Sequence, residues 1–150
     1  MSGAGTWAAS LSGASADIFV VDSSVAVKWF KPDAEGGVPE ALALLEAHHN
    51  EKVMLAAPTH LRLEVLNALW SHRLDAARLR QAAADLEDFG LAWFEPDAAL
   101  LDSSAEIAAA HALTIYDALY IALALRLDAP LLTADRTLAT CPACSIRRLG

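Results

Sequence analysis

Long apolar runs are absent from this sequence: none approaches the roughly 18 residues that a membrane-spanning helix requires, so no transmembrane segment is expected. Cysteine is scarce. The two residues, Cys141 and Cys144, stand as C-P-A-C, too few for a disulfide framework. Zinc would need two more ligands, and no matching Cys/His pair is evident. A redox pair wants its first thiolate at a helix N-terminus after a strand, whereas too little sequence follows Cys144 to build one. A turn, with Cys144 entering a last strand, is the expectation. Basic residues are also few, 11 Lys and Arg against 19 Asp and Glu, for a net charge of −8. Sequence-independent duplex binders usually carry a basic footprint, so that class is disfavoured. An enzyme acting on a nucleic acid strand is not, because a metal can neutralise carboxylates; Lys28, Lys31, Arg62 and Arg136 would then hold phosphate. Met1–Ala16 contains no Lys or Arg and lacks the basic start of a secretory signal. It reads as a flexible arm, residues 1–16, and the chain as cytoplasmic.

What is present suits a single packed domain over residues 17–150. The chain has 150 residues, 55% of them hydrophobic, enough for a substantial core. Ile18–Val21, Val53–Ala57, Trp93–Phe94, Pro130–Thr133 and Ser145–Leu149 read as short strands. Between them fall helical patterns: Ser23 to about Phe30, stopped by Pro32 and Gly36–Gly37; Pro39–His49; a helix capped by Thr59 and running to about His72; Ala76–Asp88; a helix from Pro96–Asp97 to about Ala110; Tyr116–Leu127, begun by Thr114; and a short helix after Asp135. Strands alternating with helices imply an α/β fold, a mostly parallel sheet of four to five strands flanked by helices. Trp29, Phe30 and Trp70 are expected in the core.

In such a sheet, ligands collect beyond the carboxyl ends of the strands. Asp22, Glu64, Asp117 and Asp135 all fall in that zone. Singly, each has an ordinary explanation. Asp22 and Asp135 can cap the helices that follow them. Asp117 stands three residues after Thr114, as in a capping box. Glu64, Asn67 and Ser71 form a narrow polar stripe on L-R-L-E-V-L-N-A-L-W-S, an otherwise apolar helix. Asp117 is the sole charge in I-Y-D-A-L-Y-I-A-L-A-L, where a carboxylate is costly without a partner. Several acids at one end of one sheet resist joint ionisation unless a cation sits among them. Hard oxygen ligands point to Mg²⁺, with Mn²⁺ possible, and to phosphodiester hydrolysis. Asp22 and Asp117 would bind metal directly and Asp135 complete the site, while Glu64 binds metal or positions the attacking water. Ser24, Asn67 and Thr133 are candidates for orienting those carboxylates through hydrogen bonds.

At these residues the sequence resembles the PIN-domain family, and within it the VapC-type ribonuclease toxins of toxin–antitoxin pairs. The resemblance rests on V-V-D-S-S-V-A-V-K-W-F, R-L-E-V-L-N-A-L, L-T-I-Y-D-A-L-Y-I-A-L-A and L-L-T-A-D-R-T-L, whose order and spacing together are specific. It covers the chain from about Asp17 onward. It implies a PIN-like three-layer fold and Mg²⁺-dependent endoribonuclease activity on structured RNA such as tRNA or rRNA. It also implies a homodimer and inhibition by a cognate antitoxin. The family's acidic positions fall on Asp22, Glu64, Asp117 and Asp135. The alternative is a non-catalytic PIN-like binding module, its acids serving as helix caps or as a structural ion site.

Overall fold

The computed structural model describes residues 17–31 and 36–150. The N-terminal arm and the helix-stopping Pro32 lie outside the described residues. Five strands make one sheet: β1 (Asp17–Val21), β2 (Val53–Pro58), β3 (Ala92–Phe94), β4 (Leu131–Thr133) and β5 (Ile146–Arg148). Its order is β3-β2-β1-β4-β5 and every pairing is parallel. Among the described residues the expected architecture is therefore present, with five strands and no antiparallel member. Consecutive strand residues point to opposite faces. Val20 and Val21 on β1 are both fully buried, as are Leu55 and Ala57 on β2 with Ala56 nearly so, which requires cover on both sides.

Seven helices among the described residues provide it: α1 (Ser23–Ala26, continued by a 3₁₀ turn Val27–Trp29), α2 (Val38–His49), α3 (Leu61–Ser71), α4 (Ala76–Asp88), α5 (Ala98–His111), α6 (Ile115–Leu127) and α7 (Arg136–Ala139). The nearly charge-free sequence of α6 has its expected consequence. Ala118 through Ala124 are all buried, and α6 packs on α5 and on β1, β2 and β4. On another helix, His48 of α2 joins three parts of the chain. Its Nδ1 accepts from the Leu55 backbone N–H at 3.1 Å, and its Nε2 donates to the Phe89 carbonyl at 2.9 Å. Burial pushes its pKa down. Among the described residues no single helix is long and apolar enough to cross a membrane.

Most caps fall where the sequence placed them. Asp22, Asp97, Thr114 and Asp135 each accept a hydrogen bond from a first-turn N–H, and Asp75, which the sequence had not singled out, does the same for α4. Thr59 does not. Its N–H is drawn to the Phe94 carbonyl, prolonging the β2–β3 pairing, and α3 starts at Leu61 with no side-chain cap. Nor is α3 the largely buried helix its composition suggested: Leu63 is 71% and Trp70 63% exposed. Trp29 is buried and Phe30 packs against the core, so of the three aromatics only Trp70 departs from expectation. Cys141 and Cys144 are free thiols in the turn before β5, which begins at Ile146. Burial, with Cys141 beside it, pushes the Cys144 thiol up to about 11, which keeps it protonated at neutral pH.

Candidate active site

The strand order reverses direction between β1 and β4, the crevice where an open parallel sheet collects its ligands. Asp22 follows β1 directly, and Thr133 closes β4 beside it. Asp22 is 3% exposed. Its Oδ1 accepts from Ser24 Oγ at 2.6 Å and from the Val25 N–H at 3.2 Å; its Oδ2 accepts from Thr133 Oγ1 at 2.5 Å. Ser24 Oγ in turn accepts from the Ala134 N–H at 2.8 Å, and Thr133 Oγ1 from the Asp135 N–H at 3.0 Å. Two hydroxyls thus lock the end of β1 to the end of β4. Burial pushes the Asp22 carboxyl up to about 6, overcoming the three hydrogen bonds that favour its charge; Asp117 adds repulsion.

Asp117 occupies the first turn of α6, where its own N–H is capped by Thr114 Oγ1 at 3.1 Å. Its half-buried carboxyl is raised by burial first, then by the charges of Glu64 and Asp135. The Thr114 hydroxyl and the His60 ring oppose that shift, and no Lys or Arg among the described residues pairs with the carboxyl. Asp135 is the exposed cap of α7, with Oδ1 accepting from the Thr137 and Leu138 N–H groups. Glu64, in the first turn of α3, is partly exposed. Its Oε1 accepts from the Tyr120 hydroxyl at 2.5 Å and lies 3.4 Å from His60 Nε2.

The four acids therefore share a field centred on Asp117, and no Lys or Arg among the described residues pairs with any of them. They do not form a closed cage. Among the described residues no three acidic, histidine or cysteine side chains stand close enough to enclose a metal ion. The physical reason is visible in their partners: Asp22 and Asp135 turn oxygens to helix caps, Glu64 turns one to Tyr120, and like charges hold apart. The donor set itself, four hard carboxylates with uncompensated charge, suits Mg²⁺ or Mn²⁺.

Ser24 and Thr133 touch Asp22 as expected. Asn67 touches none of the acids. It lies about 4.5 Å further along α3 than Glu64, exposed between Leu63 and Trp70, and its carbonyl accepts from Ser71 Oγ at 2.9 Å. Arg62 is committed elsewhere: Nη1 meets Glu87 Oε1 at 2.8 Å, and the guanidinium lies 5.4 Å from the Trp93 ring centre. Lys28 and Arg136 do share a pocket of about 370 Å³, together with Arg148. Two neighbours of Glu64 escaped sequence reasoning, His60 and Tyr120. Their spacing held the signal, because His60 is four residues before Glu64 and Tyr120 three after Asp117, each a helical neighbour. His60 Nε2 donates to the Tyr116 carbonyl at 3.2 Å, its buried Nδ1 has no partner among the described residues, and its ring lies 4.8 Å from that of Tyr120. Burial lowers its pKa, against the pull of Glu64.

Comparison with known proteins agrees with this topology. The PIN domain family matches residues 19–142. Ribonuclease VapC3 of Pyrobaculum aerophilum is 34% identical over 125 residues, covering 80% of this chain and 91% of that protein. The crystal structure of PAE2754 from the same organism superposes with a TM-score of 0.64 at 26% identity, covering 91% of this chain and 88% of the other. VapBC2 from Rickettsia felis, solved bound to a DNA fragment from its promoter, shares the fold with a TM-score of 0.65 at 14% identity, over 89% of this chain and 99% of the other. The chain belongs to the PIN-domain family, in its VapC-type branch.

Proposed function

We propose that this chain is a Mg²⁺-dependent endoribonuclease, the toxin of a toxin–antitoxin pair, with Mn²⁺ able to substitute. One observation carries the proposal: four acids gather at the sheet's switch point, Asp117 repelled by its neighbours, and no Lys or Arg among the described residues pairs with them. Asp22 and Asp117 hold the cation directly, Asp135 completes the set, and Glu64 lends an oxygen or positions the attacking water. When bound, the cation supplies Lewis acidity toward the phosphodiester and lowers the pKa of water. The chain does the rest. Ser24 and Thr133 fix the Asp22 carboxylate, so that little reorganisation accompanies binding. The Asp117 side chain, half-buried at the start of α6 beside Thr114, supplies the second carboxylate. Lys28, Arg136 and Arg148 border the pocket beside Ala134 and draw the RNA backbone there despite the acidic surface.

Structured RNA, tRNA or rRNA, is the substrate class. The 34% identity to a ribonuclease supports RNA cleavage, and the likeness to a VapBC assembly supports a cognate antitoxin. We place the protein in the cytoplasm, as a homodimer. The alternative, a non-catalytic module, is favoured by one observation: Asp22 and Asp135 already serve as helix caps. Incubating purified protein with tRNA and rRNA in Mg²⁺, Mn²⁺ or EDTA separates the two. Discrete fragments formed in metal and suppressed by EDTA are expected; no cleavage makes the chain a binding module, and cleavage indifferent to EDTA refutes metal dependence.

A further inference from the structure

Tyr120 is completely buried at the centre of α6, in the longest apolar stretch of the chain. A buried phenol must find an acceptor. Helical tyrosines can be served by many groups; this one reaches across to α3 and takes Oε1 of Glu64, at 2.5 Å. The contact joins two elements that carry different acids. Tyr120 and Asp117 are neighbours at i and i+3 on the same helix, so the hydroxyl that grips Glu64 moves with the backbone that carries Asp117. His60, one turn before Glu64 on the other side of the contact, closes the remaining approach to Oε1. Its Nε2 lies 3.4 Å from that oxygen, its ring against Tyr120. Glu64 Oε2 has no hydrogen-bond partner among the described residues.

We infer that Tyr120 is a positioning residue: its hydroxyl holds Glu64 Oε1 and leaves Oε2 as the oxygen that would be open to a divalent cation. The inference rests on the metal-site assignment above. Glutamate has three rotatable side-chain bonds, and a 30% exposed one would otherwise sample many orientations. Holding one oxygen in the apo state removes that freedom before the cation arrives, as partners of metal-ligating carboxylates do elsewhere. The hydroxyl needs no proton transfer for this role.

The test is Mn²⁺ affinity, measured by electron paramagnetic resonance and calorimetry on the full chain without RNA. Tyr120→Phe deletes one oxygen and keeps the buried ring. It is expected to weaken Mn²⁺ binding about 10-fold, and in a Glu64→Gln background to change it less than about 2-fold, because the residue through which it acts is already neutral. Equal Mn²⁺ affinity in wild type and Tyr120→Phe overturns the inference while leaving the metal site standing. The same loss in both backgrounds also overturns it, marking Tyr120 as structural only. A wild-type protein that binds no Mn²⁺ overturns both the inference and the metal assignment. A second measurement needs no variant. The chain has two tyrosines, so ¹³Cζ-tyrosine labelling yields two resonances. Mg²⁺ addition is expected to shift that of Tyr120; an unmoved Tyr120 signal at saturating Mg²⁺ refutes the coupling.

Discussion

Asp22→Asn should make the metal-free protein more stable at neutral pH while abolishing its chemistry. The reasoning starts from the wild-type carboxyl, 3% exposed and shifted from 3.8 to about 6 by burial. The folded state therefore holds its proton to higher pH than the unfolded chain does. Stability falls as pH rises through the window from 3.8 to about 6, and above it the full penalty of a charged Asp22 is present. Two pKa units correspond to about 3 kcal/mol. Integrated over titration, about 2 kcal/mol of that accrues between pH 4.5 and 7.5. Asparagine is neutral throughout. Its carbonyl can still accept from Ser24 and Val25, and its amide can donate to Thr133 Oγ1 once that hydroxyl turns. The difference in unfolding free energy, variant minus wild type, should thus grow by about 2 kcal/mol between pH 4.5 and 7.5. At 2–4 °C per kcal/mol for a domain of this size, that is roughly 4–8 °C in melting temperature. Urea denaturation in EDTA at both pH values measures it. A difference that stays flat, or moves the other way, refutes the claim that burial dominates Asp22. In Mg²⁺ the order should invert, because only the wild type gains from the ion.

Asp117→Asn is expected to remove Mg²⁺-dependent RNA cleavage by at least about 100-fold, the scale of losing one electrostatic contact to a transition state, with far-ultraviolet circular dichroism unchanged; retained cleavage takes Asp117 out of the mechanism. His48 gives an acid-side signature. Its folded pKa is lowered by burial, so the stability it contributes is present above about pH 6.5 and is lost as pH falls through the folded value. His48→Ala should cost about 2–3 kcal/mol at pH 7.5, leaving the Leu55 N–H and Phe89 carbonyl without their partner, and should flatten the decline below about pH 6.5. An acid limb as steep as wild type would assign that decline to another group.

The β-branched and aromatic runs were legible because they are short and bounded by turn residues, and α6 because almost nothing in it is polar. Helix starts marked by Asp or by Thr114 were legible too, since a cap is a local hydrogen bond. Thr59 misled because strand-type pairing continues through its N–H, so that α3 starts only at Leu61 and His60, not Thr59, stands at the cap position. Asn67 and Trp70 misled because an apolar helix pattern does not say which of its faces meets another element; α3 leaves both residues in solvent.

By itself the sequence determined the α/β class, the identities of Asp22, Glu64, Asp117 and Asp135, and their places at strand ends and helix starts. All of these follow from local pattern and covalent order. Only the tertiary structure decided that β1 lies between β2 and β4, which makes the crevice at Asp22 and Thr133. It alone decided that Tyr120 and His60 converge on Glu64 from different helices, and that the Asp22 carboxyl is shifted to about 6. Those outcomes depend on contacts between residues as much as 111 positions apart, and on how much water remains around each charge. No local pattern records either.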